Sequence, residues 1–280
     1  MGPVVAPPRS PICRRLPTDI RPRTTDQVNQ PLVILHEDPH CLAVVKPPGQ
    51  FTQGSWAPSG EITLETAVRE YLNPGDPSSV YLGIVHRLDR PTSGLLIWAK
   101  TTKAAQRLST QFQRRRVVKE YWAIVESRPE NAGRNTGEET WTDWLTHADA
   151  KGVVSVAQPH AKGAREATTK VRFEAAESLA SQFTWLRLWP ETGRTHQLRA
   201  QAAVRGMPIL GDSAYGSTIQ SRLTRGIALH ARALSLNHPI TGAEMTLVAP
   251  LPSTWADGGV AVPSAEIRDP KKISLNRSDC

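Results

Sequence analysis

The chain has 280 residues, with 34 Lys and Arg against 26 Asp and Glu for a formal charge of +8, and it is 39% apolar and 21% charged. This composition suits a folded globular body, one large domain or two small ones, better than an intrinsically disordered chain. Apolar stretches such as Leu95 to Ala99 fall far short of the ~20 residues a membrane-spanning helix needs, which excludes a helical membrane protein.

Residues 1–31 carry seven prolines and five arginines with little periodicity, and they read as an extended basic arm. No apolar segment follows Arg9, Arg14 and Arg15, so the expected protein is not secreted. The body is expected over 32–255. It opens with short strands at Leu32–Leu35 and Cys41–Val45 around the turn Glu37-Asp38-Pro39-His40, and Lys46-Pro47-Pro48-Gly49 then breaks the pattern. Leu64, Ala67, Val68, Tyr71 and Leu72 recur at helical spacing behind the candidate cap Thr63. Val80–Val85 and Leu95–Ala99 are apolar on both faces, as buried central strands are. Thr102 is placed to cap a second helix with Ala105, Leu108 and Phe112 inward.

Val117–Val125, Val171–Phe173 and Thr184–Trp189 have strand character, and Thr195–Arg205 reads as a helix closed by Gly206. Residues 127–165 are expected to form variable loops. Ala231–Leu236 and Glu244–Ala249 flank Pro239-Ile240-Thr241-Gly242 as a hairpin, and 256–280 is a polar tail. Hairpin-linked strands with few helices between them point to an α+β fold with a mainly antiparallel sheet.

The chemistry is expected in the loop His86-Arg87-Leu88-Asp89-Arg90-Pro91-Thr92-Ser93-Gly94, a polar segment held between two buried strands. Arg87 and Arg90 favour the ionised form of Asp89, which can then serve as a nucleophile or a base. The competing reading has Asp89 capping a turn. A second constellation, Glu191 to Arg199, passes through a tight turn into a helix. Arg194 stands at the positive end of that helix and needs an anionic partner, which could be a phosphate, Asp89 or Glu191. His86 and His196 have no metal-ligand spacing with other His or Cys residues, and they read as hydrogen-bonded structural groups.

From Lys103 to Lys119 there are six basic residues, Lys103, Arg107, Arg114, Arg115, Arg116 and Lys119, and no acidic one. The stripe can track phosphates, although a helix C-terminus favours cations on its own account. Tyr121 follows on the same strand face as Lys119 and can stack a splayed base, with core packing as the alternative. Trp98, Trp122, Trp185 and Trp189 read as core. The chain has no dinucleotide fingerprint, P-loop or nucleophile elbow. Cys13, Cys41 and Cys280 are too scattered for a disulfide framework, so a reducing cytosol is the expected compartment.

At these residues the sequence resembles the RluA-type RNA pseudouridine synthases. His-Arg-Leu-Asp-Arg-Pro-Thr-Ser-Gly at 86–94 is similar to that family's catalytic loop, and Lys-Glu-Tyr-Trp-Ala at 119–123 to its Lys-x-Tyr-x-Ala strand. Gly-Arg-Thr-His-Gln-Leu-Arg at 193–199, Gly-Asp-Ser-Ala-Tyr-Gly at 211–216 and Leu-His-Ala at 229–231 resemble its later motifs, in the same order, and with Lys46-Pro47-Pro48-Gly49 they span about 32–250. The resemblance implies an α+β domain with a long mixed, mainly antiparallel sheet and a central catalytic cleft, isomerising uridine in structured RNA, ribosomal or transfer, without a cofactor. It implies Asp89 as the catalytic aspartate, Tyr121 against the target base, Arg194 orienting the Asp89 carboxylate and Arg87 filling the stack vacated by the flipped uridine. Arg87, Arg90, Lys103, Arg107, Arg114, Arg115, Lys119 and Arg199 are the candidate RNA contacts.

Ala200-Gln201 stands where the family commonly has x-His, which puts a local packing role in question. Several relatives carry an N-terminal S4 RNA-binding module, whereas an arm of about thirty residues precedes the body here, so recognition is expected from the body itself, with or without help from the arm. The length suits a monomer. Two other readings remain open at this point: a non-catalytic RNA-binding or RNA-folding protein on the same fold, and a carboxylate-dependent nucleoside hydrolase.

Overall fold

The computed structural model describes residues 32–54, 57–58, 61–126, 137–174, 182–219, 226–253 and 255. The expected arm at 1–31 and tail at 256–280 lie outside these residues. The eleven described strands form a single sheet, β1 (Val33–Glu37), β2 (Cys41–Lys46), β3 (Gly83–Ile84), β4 (Ser93–Ala99), β5 (Val118–Glu126), β6 (Gly137–Leu145), β7 (Val156–Ala157), β8 (Arg165–Glu174), β9 (Phe183–Pro190), β10 (Leu229–Asn237) and β11 (Glu244–Val248). The path runs β1-β2-β4-β10-β5-β9-β8-β6-β7, with β3 also on β4 and β11 also on β10. Every described pair is antiparallel except β4 with β10, where His230 pairs Ser93 and Ala231 pairs Gly94. With three described α-helices, α1 (Leu64–Leu72), α2 (Thr102–Gln113) and α3 (Gln197–Val204), the architecture is α+β with a mainly antiparallel sheet.

The two-sided apolar character of β2 and β4 follows from their central position. Successive side chains alternate faces. Ala43, Leu95 and Ile97 pack with Ala104 and Leu108 of α2, whereas Leu42, Val44, Leu96 and Trp98 pack with Leu64 and Val68 of α1. A fully buried side chain such as Leu64 or Leu108 contributes about 2 kcal/mol of apolar burial. Trp122 and Trp185 meet edge to face at 4.8 Å in the core shared by β5, β9, β8 and α3.

Thr63 caps α1 as expected, its Oγ1 accepting from the Thr66 amide. The second helix is capped by Thr101 rather than Thr102, because the hydroxyl that reaches the Ala104 amide belongs to the residue just outside the helix. The third starts after His196 rather than at Thr195. His196 is left-handed at φ 52°, and the preceding turn is held by Gln197, whose Oε1 accepts from the Arg194 amide at 3.0 Å and from Thr192 Oγ1 at 2.7 Å. The strand expected over Val80–Val85 shrinks to Gly83–Ile84, with Tyr81 and Ile84 exposed. Residues 137–145 and 156–157, expected as loop, are strands β6 and β7.

Gln201 is fully buried. Its amide nitrogen donates to Asp143 Oδ2 and to the Trp141 and Ala167 carbonyls, and its oxygen accepts from Thr169 Oγ1. The amide in place of the usual histidine is therefore saturated, joining α3 to β6 and β8. Among the described residues, no helix is long and apolar enough to cross a membrane.

Candidate active site

The loop carrying Asp89 leaves β3 and enters β4, and it is fixed from beneath by Lys46. The Lys46 side chain is completely buried, and its Nζ donates to the carbonyls of Pro47, Gln50 and Arg90 at 2.9, 2.8 and 3.0 Å. Burial lowers its pKa to about 7, opposed by the neighbouring Asp89 charge. Three carbonyl acceptors call for three N–H donors, which only the ammonium form supplies. Thr52 adds a second tie, exchanging hydrogen bonds with the Leu88 carbonyl and amide. The expected chemical loop is thus strapped to the Lys46-Pro47-Pro48-Gly49 segment on one side and to β10 on the other, where Ser93 Oγ meets the buried His230 Nδ1 at 2.9 Å.

Asp89 itself is one-fifth exposed, and its Oδ2 faces Arg199 Nη1 at 3.6 Å and His196 Nε2 at 3.9 Å. Arg194, expected to orient Asp89, lies elsewhere, its Nε donating to the Glu166 carbonyl at 3.0 Å. The reason is the shifted helix start. Arg194 belongs to the turn before α3, whereas His196 and Arg199 are three apart at the start of the helix and share a face. That spacing is the sequence signal that identifies Arg199, which the reading above places among RNA contacts instead.

Arg199 is nearly buried and grips Asp212 with two hydrogen bonds, Nε to Oδ2 at 2.7 Å and Nη2 to Oδ1 at 2.8 Å. Burial alone would depress its pKa, but Asp212 and Asp89 together raise it. Its guanidinium also lies 4.7 Å from the Tyr215 ring centroid. Tyr215 Oη accepts from the Val154 amide at 2.9 Å and lies 3.0 Å from His196 Nδ1. The phenol proton is therefore available to Nδ1, which leaves the imidazole N–H on Nε2, facing Asp89. Burial lowers the His196 pKa, which favours this neutral form.

Tyr121 is partly buried on β5 between Ala231 and Leu188, in the apolar cluster that includes Leu88. Burial, and then the charge of Asp89, raises its phenol pKa, so the hydroxyl stays protonated beside the carboxylate. Asp89, Tyr121, His196, Arg199, Asp212 and Tyr215 thus converge from four of the sequence motifs. The arrangement provides a partly open carboxylate faced by cationic and N–H groups near an aromatic ring.

Among the candidate RNA contacts, Arg87, Arg90, Lys103, Arg107, Arg114 and Arg115 are exposed. Arg87 is near enough to His196 for its charge to act there. Arg90 donates to the Gly49 carbonyl, pairs with Glu61 at 3.4 Å and covers Phe51. Arg107 donates to the Pro239 carbonyl. Lys119 turns inward, Nζ donating to the Thr192 carbonyl at 2.9 Å, and burial with the nearby Arg115 charge lowers its pKa to about 8. It therefore props the turn before α3, to which the end of the basic stripe is also brought.

His36, Asp38, Cys41 and His238 place their ligand atoms within 4.8 Å of one another, a cluster the sequence reading missed because His238 comes from the far end of the chain. Its chemistry is that of a hydrogen-bonded hub. Asp38 accepts from the His40 and Cys41 amides at 2.6 and 2.8 Å, and the two histidines face its Oδ2 at 3.1 and 2.6 Å. His238 Nδ1 accepts the Ile240 and Thr241 amides, so its proton sits on Nε2, the atom that would have to bind a metal. Burial, reinforced by Asp38, pushes the Cys41 thiol up to about 12, far from the thiolate a metal requires.

A family model described as RNA pseudouridylate synthase matches residues 40–204. The chain is 33% identical over 245 residues to a tRNA pseudouridine synthase C of Yersinia pestis, covering 80% of this chain and 88% of that protein. It is 33% identical over 258 residues to a ribosomal large subunit pseudouridine synthase D of Vibrio parahaemolyticus, covering 88% and 74% respectively. In fold it is similar to human RNA pseudouridylate synthase domain containing 1, with a TM-score of 0.63 at 24% identity over 84% of this chain and 90% of that one.

Proposed function

The chain belongs to the RNA pseudouridylate synthase family, isomerases that act on RNA, and we propose that it converts specific uridines of structured transfer or ribosomal RNA to pseudouridine in the cytoplasm, with Asp89 as the essential carboxylate. The observation that carries the assignment of Asp89 is its setting: one-fifth exposed, facing Arg199 and His196 at 3.6 and 3.9 Å, and close enough to Tyr121 to influence the phenol.

The reaction breaks the bond from N1 to C1′ and makes one from C5 to C1′, so the uracil must detach, rotate and reattach. A proton leaves C5 and one is gained at N1, with no net exchange of electrons or phosphate. The Asp89 carboxylate would attack or assist at the sugar or base, and Tyr121 would hold the freed ring. Because a stacked uridine is out of reach, it must flip into the site at a cost of a few kcal/mol, offset by stacking and phosphate contacts. Arg199 and His196 would keep the carboxylate in place while the ring turns.

The test uses transfer and ribosomal RNA pools labelled with tritium at uridine C5, since forming the new bond expels that hydrogen. The full-length protein is expected to release tritium from one pool, and Asp89→Asn is expected to abolish release while Asp212 continues to hold Arg199. Undiminished release by Asp89→Asn would remove Asp89 from the reaction. RNA binding without release from either pool would favour a non-catalytic RNA-binding role, and free uracil a hydrolase.

A further inference from the structure

Arg194 stands in the turn before the positive end of α3, which favours an anion beside it, and the two carboxylates named from the sequence as its partners are engaged elsewhere. Glu191 pairs with Lys170 at 3.6 Å, and Asp89 faces Arg199 at 3.6 Å. The Arg194 side chain is instead pinned through Nε to the Glu166 carbonyl, with its backbone amide on Gln197. It forms one wall of a pocket of about 140 Å³ with Thr146, His147, Arg165, Gly193 and Thr195. Arg165, the first residue of β8, pairs across the sheet with Leu145, another lining residue, while its neighbour Glu166 falls on the opposite face. Among the described residues no carboxylate lines the pocket, and neither Arg165 nor Arg194 has an acidic partner. Behind the Gly193 wall, Lys119 Nζ lies 4.0 Å from where a Cβ would stand.

Building on the proposed reaction, we infer that this pocket binds one phosphate of the RNA strand beside the nucleotide inserted at Asp89. Arg165, Arg194, Thr146, Thr195 and His147 line a cavity well below the ~300 Å³ at which pockets begin to hold drug-sized ligands, so the occupant that suits it is a single compact anion rather than a second nucleoside. Thr195, at the pocket, directly precedes His196, whose Nε2 is 3.9 Å from Asp89, and on this inference the phosphate adjoining the inserted uridine would lie at this wall. A contact of this kind sets the register of the strand and reads no base.

The experiment measures binding of a fluorescein-labelled, unmodified tRNA transcript at several potassium chloride concentrations, using the full-length protein, Arg165→Gln, Arg194→Gln and the double variant. Because both arginines serve one phosphate, the slope of log affinity against log salt is expected to fall by about 1 in total in the double variant, not by 2. In tritium-release kinetics the double variant should show KM raised about tenfold with kcat retained, the pattern of lost uniform binding. An unchanged slope and KM in a correctly folded double variant would overturn the inference, as would a kcat loss without a KM change. Salt dependence is also read in Asp89→Asn, without turnover. A wild-type protein that releases no tritium yet loses the slope increment in the double variant therefore defeats the isomerase reading alone, and a normal turnover with an unchanged slope defeats the pocket alone.

Discussion

Arg199 does two things that a different cation could not combine. Its Nε and Nη2 chelate the nearly buried Asp212 at 2.7 and 2.8 Å, and the remaining Nη1 faces Asp89 at 3.6 Å. A planar guanidinium offers these directions at once, whereas an ammonium is a single point of charge. Truncation to alanine would strand the Asp212 carboxylate at a cost of about 3–5 kcal/mol and confound folding with function, so lysine is the informative change. Arg199→Lys is expected to lower kcat about 10²-fold, the scale of a reacting group displaced by about 1 Å, with KM for RNA little altered. Asp212→Asn should move kcat in the same direction by loosening the anchor. Saturating tritium-release assays check both, and wild-type kcat in Arg199→Lys would show that the carboxylate needs no oriented guanidinium.

At the scale of elements, the site depends on the parallel pairing of β4 with β10, which involves only Ser93 with His230 and Gly94 with Ala231. Gly94 has φ +120°, and a Cβ there would lie 2.3 Å from the Ala231 oxygen and 2.5 Å from its nitrogen. Both faults act together, a backbone conformation that suits glycine and a clash with main chain that cannot swing aside. Gly94→Ala should therefore cost about 3 kcal/mol of stability and displace the Asp89 loop. Urea unfolding measures the first effect, and a midpoint like that of the wild type would refute the close approach. The glycine is legible in the sequence as part of a motif, but its reason is visible only with β10 alongside.

Elements with a complete local signal were legible in the same way. Helix α1 announces itself through Thr63 and its apolar spacing, β2 through a short apolar run ahead of the Lys46-Pro47-Pro48-Gly49 breaker, and β4 through its two-sided apolar run. Strand β6 was not legible, because Glu138, Glu139, Thr140 and Thr142 are exposed and only Trp141 and Leu145 reach the core, a pattern that resembles a polar loop. The apolar run at 80–85 misled in the opposite sense, since Tyr81 and Ile84 remain in solvent. In the site, Asp89 and Tyr121 stand in motifs that name them, whereas Arg199 rather than Arg194 faces the carboxylate, in a helix that begins later than its sequence suggests.

For the molecule as a whole, the same inward-facing polar groups make stability depend on pH. His230 is completely buried at the centre of the sheet, and burial, with the charge of Arg232, lowers its pKa to about 3. The ring of His86, stacked 4.7 Å from Phe112 with Nε2 accepting the Ile97 amide, is likewise lowered to about 3 by burial and by Lys119. A histidine in the unfolded chain takes up its proton near 6.5, so between 6.5 and 3 the unfolded state binds more protons than the fold, and stability falls as the pH falls through that window. Asp38 acts in the same sense: burial would raise its carboxyl, but the Cys41 and His40 amides with His238 and His36 hold it well below its ordinary value, and its contribution disappears in stronger acid. The chain already has a formal charge of +8, so protonation adds to existing repulsion. Each histidine is expected to remove about 2 kcal/mol of stability between pH 7 and pH 5. His230→Asn, which can keep a hydrogen bond to Ser93, should be less stable at pH 7 yet lose about 2 kcal/mol less on going to pH 5. Urea midpoints of the two proteins at both pH values decide the matter, and an equal fall in both would mean that His230 does not carry the acid sensitivity.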